Sequence, residues 1–157
     1  MPENVAVAVS VAEAVRLMLE KGSFSQEFSL ARSYGEWDLS LEDTETLRVD
    51  VANVSTKQEV ELAARGGKLA YTIYVDVAVR KKLEAENTGY VPNELVDPLM
   101  HLVQELHAFF VQERLRGNEA KQIWKEDPRI MAAPVLKHLR EMRQFTGLIR
   151  LVFRATP

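Results

Sequence analysis

Three histidines, a closely spaced pair of glutamates and two clusters of basic residues are the places where this sequence could do chemistry. His101 and His107 fall on one predicted helix, about 120° apart around its axis at roughly 100° per residue, so they do not converge on one ion. The segment His101-Leu102-Val103-Gln104-Glu105 is not the H-E-x-x-H pattern that sets two imidazoles and a general base around zinc. His138, in Leu136-Lys137-His138-Leu139, has no sequence-local partner, and a structural role is expected for all three. Glu59 and Glu61 alternate on a predicted strand and point the same way, as a glycosidase carboxylate pair would. No cleft or aromatic neighbours accompany them, and same-face acids on a strand are ordinarily solvated or paired across it.

The glycines form neither G-x-G-x-x-G nor G-x-x-x-x-G-K-[ST], so no phosphate cradle is expected, and no G-x-S-x-G elbow presents a serine nucleophile. The sequence has no cysteine, which excludes disulfide frameworks, thiolate metal sites and thiol nucleophiles. Basic residues gather at Arg80-Lys81-Lys82 and again at Lys137, Arg140, Arg143, Arg150 and Arg154. A nucleic-acid surface there is opposed by Glu84, Glu86 and Glu141 alongside and by the lack of interleaved aromatics; intersubunit salt bridges or solvated faces are favoured. The whole chain carries 20 basic and 23 acidic residues, a formal charge of −3, which is not the footprint of a protein whose main partner is nucleic acid. These residues point away from an enzyme: no catalytic, cofactor-binding or metal-ligating residue is assigned, and no cofactor is expected.

The elements that position these residues are those of one soluble domain. The 157 residues, 46% of them hydrophobic, are enough to bury a core without staples. The apolar run Val5-Ala6-Val7-Ala8-Val9 has no Lys or Arg before it and is not read as a signal peptide, and no stretch approaches the ~20 apolar residues of a membrane-spanning helix. Ser10 and Glu13 form an S-x-x-E capping box that predicts a helix from Val11 to Lys21, ended by a left-handed Gly22. Strands are predicted at Glu27–Tyr34 and Thr46–Val54, with Trp37 to Asp43 in a loop between them. Arg65-Gly66-Gly67-Lys68 reads as a two-residue hairpin turn. It sets Ala64 opposite Leu69, Leu62 opposite Tyr71 and Val60 opposite Ile73.

The second arm of that hairpin continues through Val75, Val77 and Val79, so it is expected to outreach its partner and pair elsewhere or project, with Thr72, Tyr74, Asp76 and Arg80 on a mostly polar surface. Lys81 to Gly89 is expected to be an exposed, mobile loop. A main packing helix follows, with Asp97 as N-cap and Pro98 at its first position. Its buried stripe is Leu99, Leu102, Val103, Leu106, Phe109 and Phe110, and Gly117-Asn118 ends it. Then come a short strand at Lys121–Glu126, a turn at Asp127-Pro128, a short helix at Pro134–Met142 and a last strand at Gln144–Ala155 with Phe145, Ile149, Leu151 and Phe153 on one face. The predicted fold is α+β: a mostly antiparallel sheet of about four to six strands with two main helices packed on one face. Residues 1–157 are read as a single α+β domain with a projecting hairpin arm and loop around 58–90.

Three segments carry a family resemblance. Ile73-Tyr74-Val75-Asp76-Val77-Ala78-Val79-Arg80-Lys81-Lys82-Leu83 resembles the long strand of small neck proteins of long-tailed bacteriophages. Val96-Asp97-Pro98-Leu99-Met100 is similar to the start of their central helix, and Arg143 to Arg154 to their closing strand, except that Gly147 stands where the pattern has Ser. The match covers about half the chain and consists of packing patterns. The resemblance implies a tail-terminator or tail-completion protein: a structural virion protein made in the host cytoplasm and located at the head–tail junction. It would form a hexameric ring that ends the tail tube and joins it to the head connector.

The implied partners are other copies of itself, the tail-tube protein and the head connector or stopper proteins, with genomic DNA passing through the channel without specific binding and no membrane. A head–tail connector or stopper is the near alternative, and a small nucleic-acid-binding domain a more distant one. The expected intersubunit or tube-facing residues are Leu69, Tyr74, Asp76, Arg80, Lys81, Lys82, Glu84 and Glu86. Six copies would carry about −18, and acids near the channel, with Asp50, Glu59, Glu61 and Asp76 as candidates, would let DNA slide by like-charge repulsion.

Overall fold

The computed structural model describes residues 5–37, 46–60, 69–83, 91–116 and 122–156. The chain order is α1 (Val7–Lys21), β1 (Ser29–Ser33), β2 (Arg48–Val60), β3 (Leu69–Lys82), α2 (Asn93–Arg116), β4 (Gln122–Trp124), β5 (Arg129–Ala132), α3 (Leu136–Glu141) and β6 (Gln144–Ala155). The strands form one six-stranded sheet in the order β1-β2-β3-β6, with β4 and β5 both paired to the far edge of β6. β1 and β2 run parallel and the other pairings are antiparallel. The architecture is thus α+β, a mostly antiparallel sheet with its two long helices over one face.

Period-2 alternation explains the inner face of this sheet, because Ile73, Val75, Val77 and Val79 of β3 and Phe145, Ile149, Leu151 and Phe153 of β6 are all fully buried. Helical spacing supplies the opposing layer. Val11, Val15 and Leu19 of α1 and Leu99, Leu102, Val103, Leu106 and Phe110 of α2 close over those strands. The rings of Phe28, Phe24, Phe109, Phe110, Trp124 and Phe153 follow one another at centroid spacings between 4.4 and 6.4 Å, an unbroken aromatic string from the residue before β1 through α2 to β6.

Both long helices begin earlier than their capping signals. α1 starts at Val7, the Ser10 N–H bonds to the Ala6 carbonyl, and Glu13 holds Arg16 in place of a cap. Its added turn is retained because Val7 and Ala8 pack against the core. Gly22 is extended (φ −76°) and not left-handed; a Cβ there would lie 2.7 Å from the Phe24 ring, so the requirement is for space. α2 starts at Asn93, with Pro98 inside it. Pro98 and Glu94 are both exposed, so the carbonyl that Pro98 cannot serve is left on the solvated side. The strand β5 has no alternation to announce it, since Arg129, Ile130 and Met131 are all exposed.

The hairpin register differs from the sequence expectation. Val60 pairs with Leu69 and Thr56 with Ile73, an offset of four residues, while the expected turn at 65–68 lies outside the described residues. An even offset keeps every side chain on its expected face, which is why the apolar pattern alone did not distinguish the two registers. A bulge at Val54 then adds a residue to β2, so inward positions change from odd (Val49, Val51) to even (Thr56) along the strand. The described part of the second arm does not project: β3 is paired to β2 and β6 on its two sides. Lys81 and Lys82 belong to this strand and not to a loop, and residues 84–90 lie outside the described set.

Gly147 on β6 sits directly under α2. A Cβ there would come within 2.6 Å of Val103 Cγ2 and 3.2 Å of the Phe145 ring, both fully or almost fully buried. The space beneath Val103 therefore requires glycine at this position. Gly147→Ala should destabilise the fold by about 1–3 kcal/mol through overpacking, and adding Val103→Ala should recover part of that loss. Urea midpoints of the single and double variants measure it.

Candidate functional site

The outward face of β2, β3 and β6 is where the charged residues of these strands converge. Antiparallel pairing places Asp76 of β3 opposite Arg150 of β6, and the guanidinium donates to both carboxylate oxygens, at 2.9 Å from Nε and 3.1 Å from Nη2. The Asp76 side chain is only 4% exposed and that of Arg150 about one third exposed, so the pair is buried on its acidic side and wet on its basic side. Hydrogen bonding to Asp76 raises the Arg150 pKa further.

Toward one end of the same face, Asp50 of β2 accepts from Arg48 at 3.1 Å and from Arg80 at 3.5 Å. Asp50 is buried, and Arg80 is 6% exposed, with its guanidinium 5.4 Å from the centre of the Trp37 ring. Burial pushes the Arg80 pKa down while Asp50 opposes it. Toward the other end, Glu59 accepts from Lys125 and from the Thr72 hydroxyl, and Arg154 Nε lies 3.4 Å from its second oxygen. The Lys125 hydrogen bond, then that from Thr72, holds the Glu59 carboxyl below the usual range. Between these clusters the Lys57 ammonium sits 5.2 Å from the Tyr74 ring centre.

The expected interface residues separate on this framework. Tyr74, Asp76 and Arg80 share the outward face, where Asp76 and Arg80, with Thr72, are buried rather than forming an exposed polar surface, because ion pairs and Trp37 cover them. Leu69 is 40% exposed at the hairpin end of β3, Lys81 and Lys82 are half-buried at its opposite end, and Glu84 and Glu86 lie outside the described residues. The carboxylates considered as channel lining are neutralised by neighbouring cations at Asp50, Asp76 and Glu59, and Glu61 falls outside the described set.

The histidines separate as well: His101 pairs with Glu105 at 3.2 Å, His107 Nε2 lies 2.9 Å from the Pro128 carbonyl, and buried His138 bonds to Thr146. Among the described residues no group of three or more metal-ligating side chains converges, and no helix is long and apolar enough to cross a membrane. An open groove of about 520 Å³ beside the end of α1 is floored by Leu19, Phe24, Phe28 and Leu30 and edged by Glu20 and Glu27.

Sequence reasoning missed Arg48, Lys57, Lys125, Arg150 and Arg154 as parts of one surface. A lone Asp76 or Arg150 between aliphatic residues was the available signal, but joining them needs the register of strands 74 residues apart. No protein-family model matches this chain, and no curated protein matches it.

Asp76→Ala should cost about 3 kcal/mol, the lower end for breaking a buried pair, because Arg150 keeps access to water. A double-mutant cycle with Arg150→Ala isolates the coupling. Acidification tests Glu59. Its depressed pKa contributes stability above the unfolded value of about 4.3, and that contribution is lost as pH falls through the folded value. Wild type should therefore exceed Glu59→Gln in urea resistance at neutral pH and converge with it in acid.

Proposed function

We propose that this chain is a structural protein of the neck of a long-tailed bacteriophage, a ring-forming tail terminator that ends the tail tube and meets the head connector. One observation carries the reading. The three segments that resemble such proteins, separate in sequence, form one spatial unit: Ile73–Leu83 lies in and just beyond the central strand β3, Arg143–Arg154 leads into and forms most of β6 paired alongside it, and Val96–Met100 lies in the first turns of the helix α2 that packs over both. A likeness confined to packing patterns has meaning when its parts pack on one another.

The function is mechanical. Ring subunits need a rigid body and unlike surfaces that meet head to tail and close. The sheet supplies the body, since β3 is bonded on both sides and the outward ion pairs link β2, β3, β6 and the residue after β4. The partners under this reading are further copies of the chain, the tail-tube protein and the head connector, with genomic DNA passing through.

Purified chain mixed with the tube protein of the same phage should shorten the polymerised tubes and sit at their ends as a closed species about six times the 17.8 kDa monomer. Electron microscopy and sedimentation velocity read both. Tubes of unregulated length with bare ends would overturn the proposal.

A further inference from the structure

The outward residues of β2, β3 and β6 comprise six cations and three carboxylates, and Lys125 adds a seventh cation beside Glu59. The strands alone thus give this face +3 in a chain of −3, which leaves −6 for the rest. Burial is uneven across it. Asp50 and Asp76 are almost inaccessible and Arg80 is buried with them, whereas Arg48, Lys125, Arg150 and Arg154 each keep about a third of their side-chain surface, Lys57 is exposed, and Glu59 is the one carboxylate of the face that is comparably open. An approaching surface therefore meets mainly positive charge.

The opposite layer has the complementary sign. α2 carries four carboxylates, and its two arginines, Arg114 and Arg116, lie in its last turn. Glu94 and Asp97 are exposed, and Leu95 between them is 39% exposed. The subunit is thus polarised through its thickness, cationic on the sheet side and acidic at the exposed first turns of α2. Copies of such a body attract one another head to tail, and a heterologous contact of this kind closes into a ring when its rotation allows.

We infer that the outward sheet face receives the acidic N-terminal turns of helix α2, around Glu94 and Asp97, from a second copy of this chain. This rests on the ring reading and names its interface. A nucleic acid is the weaker occupant, because carboxylates interrupt the cations along the face and would oppose a continuous run of phosphates, whereas a protein surface is itself a mosaic.

The test uses two reversals at exposed positions, Lys57→Glu on the sheet face and Asp97→Lys on α2, with unchanged circular dichroism as the folding control. In sedimentation velocity the wild-type assembly should weaken as salt rises, and each variant alone should dissociate at least about tenfold more readily. An equal mixture of the two should assemble again, since each offers the other a surface of opposite sign. Assembly that ignores salt and both reversals would overturn this interface and leave the ring reading standing. Wild-type chain that stays monomeric at low salt yet binds a DNA oligomer, with Lys57→Glu weakening the binding, would overturn it in favour of a polyanion. Failure of the ring reading itself is read separately, from tube ends that stay bare.

Discussion

A carboxylate at the centre of a sheet has to meet a cation or lose its hydration at a cost of several kcal/mol, and Asp76 is in that position on the central strand. Arg150 meets it in one register of β3 against β6. A slip of two residues would keep all the inward valines and phenylalanines inward but would set Asp76 opposite Leu148 or Val152. Apolar alternation therefore chooses the face, and the ion pair chooses the register. The remaining strands and both long helices are laid on that pairing.

The same requirement, repeated at Asp50, and the pairing of the more open Glu59 with Lys125 and Arg154, make the outward side of the sheet a set of cross-strand ties. Asp50 and Asp76 are enclosed, by Arg80 under Trp37 and by Arg48 and Arg150 with heads that reach outward, while Glu59 stays partly open among Lys125, Thr72 and Arg154. The fold thereby acquires two unlike exteriors, one cationic on the sheet and one acidic at the first turns of α2.

Individual elements were largely legible in the sequence. The closing strand was placed at Gln144–Ala155 with its inward face correct, and the stripe of α2 was correct apart from the half-buried Phe109. Helix starts were misplaced because Ser10 and Asp97 are good local caps, while packing by Val7, Ala8 and Val96 rewards another turn that no cap announces. The hairpin register was shifted by an even offset that the apolar pattern permits. β5 went unseen since it is exposed and does not alternate. Gly147 gained its reason only when Val103 was placed above it.

The sequence by itself determined the class of the fold and which residues turn inward, because periodicity and burial are consequences of neighbours along the chain. It also carried the charges of the outward face, but as isolated residues on strands of uncertain order. Tertiary structure decided that Arg48, Asp50, Glu59, Asp76, Arg80, Lys125, Arg150 and Arg154 share one surface, and which cation holds which carboxylate. The physical reason is that ion pairing acts over a few ångströms, and residues scores of positions apart reach that distance only after strand order, register and the bulge at Val54 have been set.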